Sequence, residues 1–414
     1  MVNVQSATTR GVDAVPLVVS VDLLKRLPAV VIVGLPAPQV RETADRVRSA
    51  IMASGFEFPR SRVVVSVEPA DVRKDPMHTD LAVAMAILGA AGLWSPSLTI
   101  EAGLDTFVFV GELRLGGELR PVRGILAIAE AARKSGATLV CHPLNAMDAI
   151  GMGAKAVAAY TLADVVEARW GTVTPSTSSD PFAKLDFADI RGDRMTLLLE
   201  LAEAARTRRT VILKGPPGCG KTMLAARLPG ILPPAEEALR HEMAILQDVS
   251  GLRAPGSTSV EAVSRPFRAP HHTVSVAGLT GNQTLRPGEC SLAHGGVLFL
   301  DEITEFPRAS IEAVDRVKHQ GCVSVTVGTG TTRMPADFWL VVATNTCPCG
   351  NTGSKRVCVC SEEQRERFNK RLEGPLFKDA LVIDLEPVTP SELLASAPCF
   401  STAELAAIGA QEGV

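Results

Sequence analysis

The pattern of hydrophobic and polar positions predicts strands and helices in the first part of the chain. The segments VVVSVEPA and FVFVGELRL alternate or run apolar as strands do, and the pair Gly116–Gly117 indicates a hairpin. The segment ILAIAEAARKSG has helical spacing and ends in a turn glycine. The run Leu81–Trp94 is too short to span a bilayer and is typical of a core helix. We expect an α+β or α/β unit here.

The second part of the chain alternates helices and strands more regularly. Helix-like MTLLLELAEAARTRR precedes the strand VILK, a glycine-rich turn and the helical segment MLAARL, and the apolar strands VLFL and FWLVVAT follow later. Strands that alternate with helices predict an α/β fold, with a parallel sheet and helices on both of its faces.

Between these two parts lies a segment with the composition of a linker. Residues 171–184, GTVTPSTSSDPFAK, are rich in Ser, Thr and Pro and have no apolar periodicity. We therefore expect a first domain over residues 1–170, this linker, and a second domain over residues 185–390.

Composition is that of a soluble globular protein. The 414 residues are 46% hydrophobic and 21% charged, with a net charge of −3, so any contact with nucleic acid must depend on local Arg and Lys residues. The first residues lack the charged start and apolar core of a signal peptide. We expect a cytoplasmic protein without a membrane partner, in which the scattered cysteines are reduced thiols. These cysteines are Cys141, Cys219, Cys290, Cys322 and Cys399.

A phosphate-binding loop is the clearest chemical motif. The segment GPPGCGKT fits the pattern G-x-x-x-x-G-K-[ST], and it stands between a predicted strand and a predicted helix. Glycines let backbone N–H groups surround phosphates, the lysine reaches the terminal phosphates, and the hydroxyl coordinates Mg²⁺. The motif predicts a site for ATP and Mg²⁺. Its residues are Gly215, Pro216, Pro217, Gly218, Cys219, Gly220, Lys221 and Thr222.

Two adjacent carboxylates follow a later strand and strengthen this prediction. Asp301 and Glu302 end the segment GGVLFLDE, which has the form of a Walker B motif. Asp301 is expected to hold Mg²⁺ through its coordination shell, and Glu302 to polarise the attacking water. Asn345, after the next strand, is a candidate sensor of the γ-phosphate. By themselves, acids after a strand and an Asn in a turn are ordinary surface features.

Several segments together resemble one family, the Mg-chelatase-like AAA+ proteins of the YifB/ComM type. The resemblance extends over nearly the whole chain. It is carried by the segments GLPAPQVRETADRVRSAI, SGFEFP, EPADVRKD, GELRPVRGIL, GPPGCGKTMLAARLPGILPP, RPFRAPHHT, RPGECSLAHGGVLFLDEITEFPR and CPCG.

The resemblance implies a fold and a function. It implies an N-terminal Lon-protease-like α+β domain of the ribosomal S5 domain 2-like type, followed by a P-loop AAA+ domain and, from residue 391 to 414, the start of an incomplete helical lid. It also implies a hexameric ATP-driven, helicase-like hydrolase acting on single-stranded or branched DNA, a role linked in ComM to branch migration. By approximate alignment with Lon proteases, their catalytic serine falls near Thr79 and their catalytic lysine at Leu126. Since leucine has no amine to deprotonate the hydroxyl, we do not expect protease activity.

The segment RPFRAPHHT is a candidate contact with DNA or a neighbouring subunit. Two arginines provide phosphate contacts, and the aromatic side chains can stack on bases. A metal site at the two histidines is the alternative, although adjacent histidines do not readily share one ion. The polar candidates are Arg265, Arg268, His271 and His272.

Four cysteines after the last strand form a candidate zinc site. Cys347, Cys349, Cys358 and Cys360 supply four thiolates, and the glycines between them allow the loop to fold back. Cys-x-Cys is tighter than the usual zinc spacing, so free thiols or a redox pair remain open alternatives. Such a loop would present Lys355 and Arg356 to DNA or to a neighbouring subunit.

Some positions depart from the family pattern. Thr346 replaces a proline before CPCG, and Lys378, Asp379 and Ala380 occupy the region in which the family has a candidate arginine finger. The sequence ends at Val414, where the lid and its sensor arginine would follow. An arginine finger contributes ~10³–10⁵ in rate, and Lys replaces it poorly. Three functions therefore stay open: a DNA motor, a slow or non-hydrolysing regulatory paralogue, and a motor subunit of a Mg-chelatase.

Overall fold

The chain passes more than once between two structural units. In the computed structural model the described residues are 1–95, 106–174, 185–192, 194–257, 260–327, 330–353, 356–389 and 400–410. Unit 1 comprises Met1–Asp180 together with Ala244–Val263. Unit 2 comprises Pro181–Met243 together with Ser264–Val414.

Unit 1 is built on a mixed sheet. Within the described residues the strand order is β3-β4-β2-β1-β5-β8-β9, with β6 and β7 forming a separate hairpin around the predicted Gly116–Gly117 turn. The strands are Val2–Arg10 (β1), Asp13–Leu24 (β2), Ala29–Val33 (β3), Arg62–Glu68 (β4), Phe107–Phe109 (β5), Glu112–Leu113 (β6), Leu119–Arg120 (β7), Thr138–Cys141 (β8) and Lys155–Ala158 (β9). The helices are Ala37–Ala53 (α1), Pro76–Ala90 (α2), Ile125–Ser135 (α3), Pro143–Gly151 (α4) and Leu162–Val166 (α5).

The predicted core helix of unit 1 is confirmed as α2. Its residues from His78 to Leu88 are all buried, because the helix is apolar on every face from Leu81 to Leu88 and packs between β1, β2 and α1. Asp75 caps its first turn by accepting a hydrogen bond from the Met77 N–H. The two positions aligned with a protease dyad lie in this core: Thr79 donates its hydroxyl to the Pro76 carbonyl, and Leu126 is fully buried in α3.

Unit 2 contains the predicted parallel sheet, and the α/β fold class is confirmed. In the described part of the unit the strand order is β11-β12-β15-β10-β16, and all neighbours are parallel. The strands are Val211–Lys214 (β10), Phe267–Arg268 (β11), Val297–Leu300 (β12), Cys322–Val327 (β13), Gly330–Pro335 (β14), Trp339–Thr344 (β15) and Leu381–Asp384 (β16), of which β13 and β14 form a hairpin.

Helices and short 3₁₀ segments complete the described part of the chain. The helices are Met195–Thr207 (α6), Lys221–Ala225 (α7), Glu237–Ser250 (α8), Val276–Thr280 (α9), Glu289–Leu292 (α10), Arg308–Gln320 (α11), Glu362–Asn369 (α12) and Thr402–Ala410 (α13). The 3₁₀ segments are Phe187–Asp189, Leu228–Ile231, Val260–Ala262, Ile303–Glu305, Lys370–Leu372 and Pro375–Phe377. No helix in this part of the chain is both long and apolar enough to cross a membrane.

The segment Ala244–Val263 lies within the predicted second domain but packs as part of unit 1. Helix α8 therefore begins in unit 2 and ends in unit 1. The carboxylate of Asp248 accepts hydrogen bonds from the N–H groups of Gly124 and Leu126, at the start of α3. These contacts supply the side-chain cap that Gly124 lacks.

A buried ion pair holds the same segment. Arg253 pairs with Asp148 of α4 at 2.5 Å, and both side chains are almost completely buried. Asp148 also accepts a hydrogen bond from the Gly256 N–H. Since a buried charge is costly without partners, these contacts fix where the segment lies in unit 1.

Candidate nucleotide site and cysteine cluster

The carboxyl ends of three parallel strands bring the predicted nucleotide residues together. Lys214 of β10 pairs with Thr344 of β15, and Leu300 of β12 pairs with Val342 of the same strand. The glycine-rich loop, Asp301 and Asn345 follow these strand ends directly. Side chains that are far apart in sequence therefore meet at one edge of the sheet, where ligands bind in open α/β sheets.

Lys221 lies across the glycine-rich loop. Its Nζ donates hydrogen bonds to the carbonyls of Gly215 at 2.7 Å and Pro216 at 3.1 Å, and to Oδ1 of Asn345 at 3.2 Å. The ammonium is thus held by three oxygen atoms at the mouth of the loop. The predicted lysine and the predicted sensor are direct neighbours.

Thr222, the residue after Lys221, lies beside Asp301, the first of the two adjacent carboxylates. The Thr222 hydroxyl donates to Oδ2 of Asp301 at 2.9 Å. A hydroxyl and a carboxylate oxygen side by side are hard ligands of the type that Mg²⁺ prefers, in the arrangement of P-loop enzymes. The donor set fits the predicted cation.

The shape of the loop also fits a bound phosphate. Gly218 has a φ of +80° and Gly220 a φ of +93°, a region of backbone conformation that favours glycine. A Cβ at Gly218 would meet no atom within 4 Å, so the backbone there faces open space. Within the loop, Pro216 and Cys219 are buried, whereas Pro217 and Gly218 are exposed.

Glu302 has an unusual backbone and a neighbour that sequence reasoning missed. Its φ of +51° is rare for a residue other than glycine, and its side chain is half-exposed. Nδ1 of His272 lies 3.9 Å from Oε2 of Glu302. The His272 ring also stands near His271, with centroids 4.0 Å apart, and edge-on to Phe306. Nothing in the sequence pairs His272 with Glu302, because thirty residues separate them.

A second missed residue supports the loop from its other side. Arg194, just before α6, donates hydrogen bonds to the carbonyls of Cys219 and Glu386, each at 3.2 Å. The arginine therefore connects the glycine-rich loop to the segment after β16. Its sequence context, DIRGDR, carries no signal of this contact.

The two arginines of RPFRAPHHT are engaged within the chain. Arg265 donates to the carbonyls of Gly295 and Pro233, and burial lowers its pKa to about 10. Arg268 forms a two-pronged ion pair with Glu289, at 2.7 and 2.9 Å. His271 hydrogen-bonds through Nδ1 to the Thr273 hydroxyl.

The four clustered cysteines lie close together. Their Sγ atoms all lie within 4.8 Å of one another. The Sγ of Cys347 is 3.5 Å from that of Cys349 and 3.6 Å from that of Cys358. Four sulfurs bound tetrahedrally to zinc at about 2.3 Å would be about 3.8 Å apart, so the spacing fits this ion.

Hydrogen bonds favour a thiolate at Cys347. Burial raises the pKa of this thiol, but hydrogen bonds from Thr352 and the neighbouring Cys349 and Cys358 outweigh burial and bring the pKa to about 5. A deprotonated sulfur is the form that binds metal.

The loop that carries the cysteines, residues 347–360, is here called the cysteine loop. Thr346 donates its hydroxyl to the Thr352 carbonyl at 2.5 Å and so closes the base of the loop. The loop also contacts the glycine-rich loop, since a Cβ at Gly350 would lie 3.1 Å from Cγ of Pro217. Arg356 is exposed, whereas Lys355 and the scattered Cys399 lie outside the described residues.

The residues expected at the place of an arginine finger follow the 3₁₀ segment Pro375–Phe377 directly. They are Lys378, Asp379 and Ala380. The carbonyl of Asp379 accepts a hydrogen bond from Nε of Arg209, and Lys378 and Asp379 are exposed. Of the predicted lid range, residues 391–399 and 411–414 lie outside the described part. Helix α13 packs on α6 and buries Leu405.

Comparison with protein families identifies matches to both parts of the chain. The model described as "Magnesium chelatase, subunit ChlI" matches residues 186–393, and the one described as "Subunit ChlI of Mg-chelatase" matches residues 19–145. The matched ranges include the glycine-rich loop, the two carboxylates and the cysteine loop.

Individual relatives match across almost the whole chain. YifB of Salmonella typhimurium, itself described as uncharacterized, is 36% identical over 94% of this chain and 77% of its own length. YifB of Escherichia coli is 37% identical over the same shares. The competence protein ComM of Haemophilus influenzae is 36% identical over 94% of this chain and 76% of its own length.

Proposed function

The chain belongs to the Mg-chelatase-like family that includes YifB and ComM, and from this premise we propose that it binds ATP with Mg²⁺ and works as an AAA+ motor on DNA. The observation that carries the proposal is the meeting of Lys221 with Asn345 and of Thr222 with Asp301 at one edge of the sheet.

Each of these residues has a task in nucleotide binding. The Lys221 ammonium would exchange its carbonyl partners for phosphate oxygens, and the N–H groups around Gly218 and Gly220 would donate hydrogen bonds to phosphates on the open side of the loop. Thr222 and Asp301 would hold Mg²⁺, which neutralises phosphate charge when it is bound.

Glu302 and Asn345 are the proposed hydrolytic pair. Glu302 orients and polarises a water molecule, and Asn345 positions the terminal phosphate relative to it. His272 lies 3.9 Å from the Glu302 carboxylate. A change in the conformation of the loop that carries His272 would therefore alter the surroundings of the proposed catalytic carboxylate.

For the substrate we propose single-stranded or branched DNA, bound by a homohexamer that remodels it by branch migration. The support is membership of a family in which one relative is named a competence protein. Arg356, His271 and His272 remain proposed DNA or subunit contacts, as does Lys355. Arg265 and Arg268 would act indirectly, by holding their loop in place, because both are engaged within the chain.

One observation favours a second candidate, a slow or non-hydrolysing regulatory protein. Between Arg371 and Leu385 the chain has no arginine, and Lys378 is the only cation in that stretch. If this segment faces the nucleotide of a neighbouring subunit, the planar charge of an arginine finger is missing from it.

An ATPase assay on the purified chain tests the proposal and separates the two candidates. Turnover of Mg-ATP is measured with no DNA, with single-stranded DNA and with a four-way junction, and nucleotide affinity is measured in parallel. A motor shows turnover that DNA accelerates. ATP binding without turnover assigns the regulatory role, and failure to bind ATP would reject both.

A further inference from the structure

A groove of about 640 Å³ lies between the cysteine loop and the helical segment that follows it. We call it the loop–helix groove. Its helical wall is lined by Gln364, Arg367, Phe368 and Arg371, and Val359 lines the opposite wall. The groove is distinct from the nucleotide residues described above.

The helical wall is a cationic face with an aromatic ring in it. Gln364, Arg367, Phe368 and Arg371 are spaced i, i+3, i+4 and i+7, so they share one side of α12 and of the turn that continues it. At 100° per residue Glu362 and Glu366 fall on the opposite side of the helix, and Glu363 falls on its flank. Helix α12 contains no buried residue, so this face is not part of the core.

Several other helix arginines of this chain pair with glutamates on their own helix. Arg133, Arg206 and Arg308 do so with Glu130, Glu203 and Glu312, three or four residues away. Glu363 stands four residues before Arg367, yet among the described residues neither Arg367 nor Arg371 has an ion-pair partner. Their charge is directed to the groove and is available to a ligand.

The cysteine loop presents apolar side chains at the same place. Two cysteines alternate with two valines in the sequence of residues 357–360. Cys358 and Cys360 belong to the sulfur cluster, whereas Val357 and Val359 are 84% and 82% exposed. Of these two exposed valines, Val359 lines the groove opposite the cationic face.

We propose that the loop–helix groove binds single-stranded nucleic acid, with Arg367 and Arg371 contacting backbone phosphates and Phe368 and Val359 contacting an unstacked base. The inference rests on the proposed function and names a site for its DNA. Arginines beside an aromatic ring are the combination that binds single strands irrespective of sequence. In a chain with net charge −3, these local cations and not the overall field attract the strand.

The position of the groove connects the strand to the nucleotide. The cysteine loop forms one wall of the groove, and its Gly350 and Gly353 lie against Pro217 and Pro216 of the glycine-rich loop. A strand in the groove would therefore contact the same short segment that packs against the glycine-rich loop. Binding of the strand should change the affinity of the protein for the nucleotide, and binding of the nucleotide should change its affinity for the strand by the same factor.

The test is the affinity of the full chain for fluorescein-labelled oligothymidylate, measured by anisotropy over a salt series with and without ATP. The double variant Arg367→Gln/Arg371→Gln should lower the affinity at least tenfold. It should also make the slope of log K against log salt shallower by about 1.4, since each phosphate contact on a single strand contributes about 0.7. Phe368→Ala should lower the affinity about tenfold and leave the salt slope unchanged.

The matched control is Arg206→Gln/Arg308→Gln, which removes the same charge from exposed helix arginines of unit 2 and should leave the salt slope unchanged. Unchanged ATP affinity and far-ultraviolet circular dichroism establish that the groove variants fold. An oligonucleotide that carries 4-thiothymidine should crosslink to the peptide containing Phe368.

The outcomes separate this inference from the proposed function. If the wild type binds the strand and the groove variants bind it equally well, the inference is wrong and the DNA motor proposal stands. If the wild type binds neither single-stranded nor branched DNA, both fail. If the groove variants lose only self-association, measured by sedimentation velocity, the groove is a subunit contact and not a strand site.

Discussion

At the residue scale, the contacts of Lys221 decide whether the glycine-rich loop binds nucleotide. Its ammonium is the cation nearest the loop carbonyls, so Lys221→Ala should lower ATP affinity by roughly two orders of magnitude, the cost of losing charge-assisted hydrogen bonds to phosphate. Isothermal titration with ATP measures the change. The control Lys134→Ala removes an exposed lysine of unit 1 and should have no effect. Equal affinity of Lys221→Ala and wild type would refute the loop assignment.

Glu302 is predicted to polarise the attacking water and not to contribute to ATP affinity. Glu302→Gln keeps the shape of the side chain but removes the carboxylate, so ATP affinity should be retained while turnover falls by about 10²–10⁴. A steady-state phosphate-release assay checks this. Glu305→Gln, three residues later and also exposed, is the matched control and should keep turnover. A Glu302→Gln variant that hydrolyses ATP at the wild-type rate would move the catalytic role elsewhere.

The sequence predicted these residues because their motif is local. Lys221 and Thr222 are adjacent, and Asp301 and Glu302 follow a recognisable apolar strand. The contact of His272 with Glu302 depends instead on two loops meeting in the fold. No spacing rule contains that information.

At the element scale, the cysteine loop is a closed segment whose order depends on its sulfur cluster. It contains few apolar groups that could fold inward, and its two valines face solvent. Thr346, Thr352 and Cys347 form its polar base. A metal ion would supply the stabilisation that such a loop lacks.

We expect the purified protein to hold about one zinc ion per chain at Cys347, Cys349, Cys358 and Cys360, because four clustered thiols favour this ion. Inductively coupled plasma mass spectrometry on protein prepared under reducing, chelator-free conditions measures the content. Cys358→Ser should lower the zinc content sharply. Cys322→Ser, in β13, removes a thiol outside the cluster and should retain the metal. Wild-type protein without zinc would leave the cluster as free or redox-active thiols.

The long apolar helices and strands could be predicted from the sequence. The short strand β11 and the unit in which the end of α8 packs could not. The strands β10, β12 and β15 and the core helix α2 follow from apolar runs bounded by polar residues. The two-residue strand β11 has no such run and exists because it pairs with β12. Helix α8 has an ordinary amphipathic pattern, which says nothing about which unit its end joins.

At the scale of the whole molecule, the chain returns to unit 1 through Ala244–Val263 between two parts of unit 2. The polar contacts that hold this segment are buried, and they involve Asp248, Asp148 and Arg253. The pKa of Asp248 is raised to about 6, chiefly by burial and in part by the nearby Asp148, against the opposing effect of hydrogen bonds from Leu126 and Gly124 and of the charge of Arg253. Burial also raises the pKa of Asp148.

The raised pKa of Asp248 predicts how the stability of unit 1 depends on pH. Since the folded pKa lies above the ordinary value of 3.8, the folded state binds a proton that the unfolded state releases between these two values. Unit 1 should therefore become more stable as pH falls from about 7 toward 5, by up to about 1.4 kcal/mol per pH unit below the folded pKa. Asp248→Asn should lose this proton uptake and retain one of the two acceptor oxygens at the start of α3.

Pulse proteolysis in urea, with mass-spectrometric identification of unit 1 peptides, measures the stability of this unit at each pH. Asp80, whose pKa burial also raises to about 6, titrates in both proteins. The difference between the pH dependences of wild type and Asp248→Asn therefore isolates Asp248. Wild type should gain stability relative to the variant as pH falls. Parallel pH dependences would mean that Asp248 is not a buried carboxylate with a raised pKa.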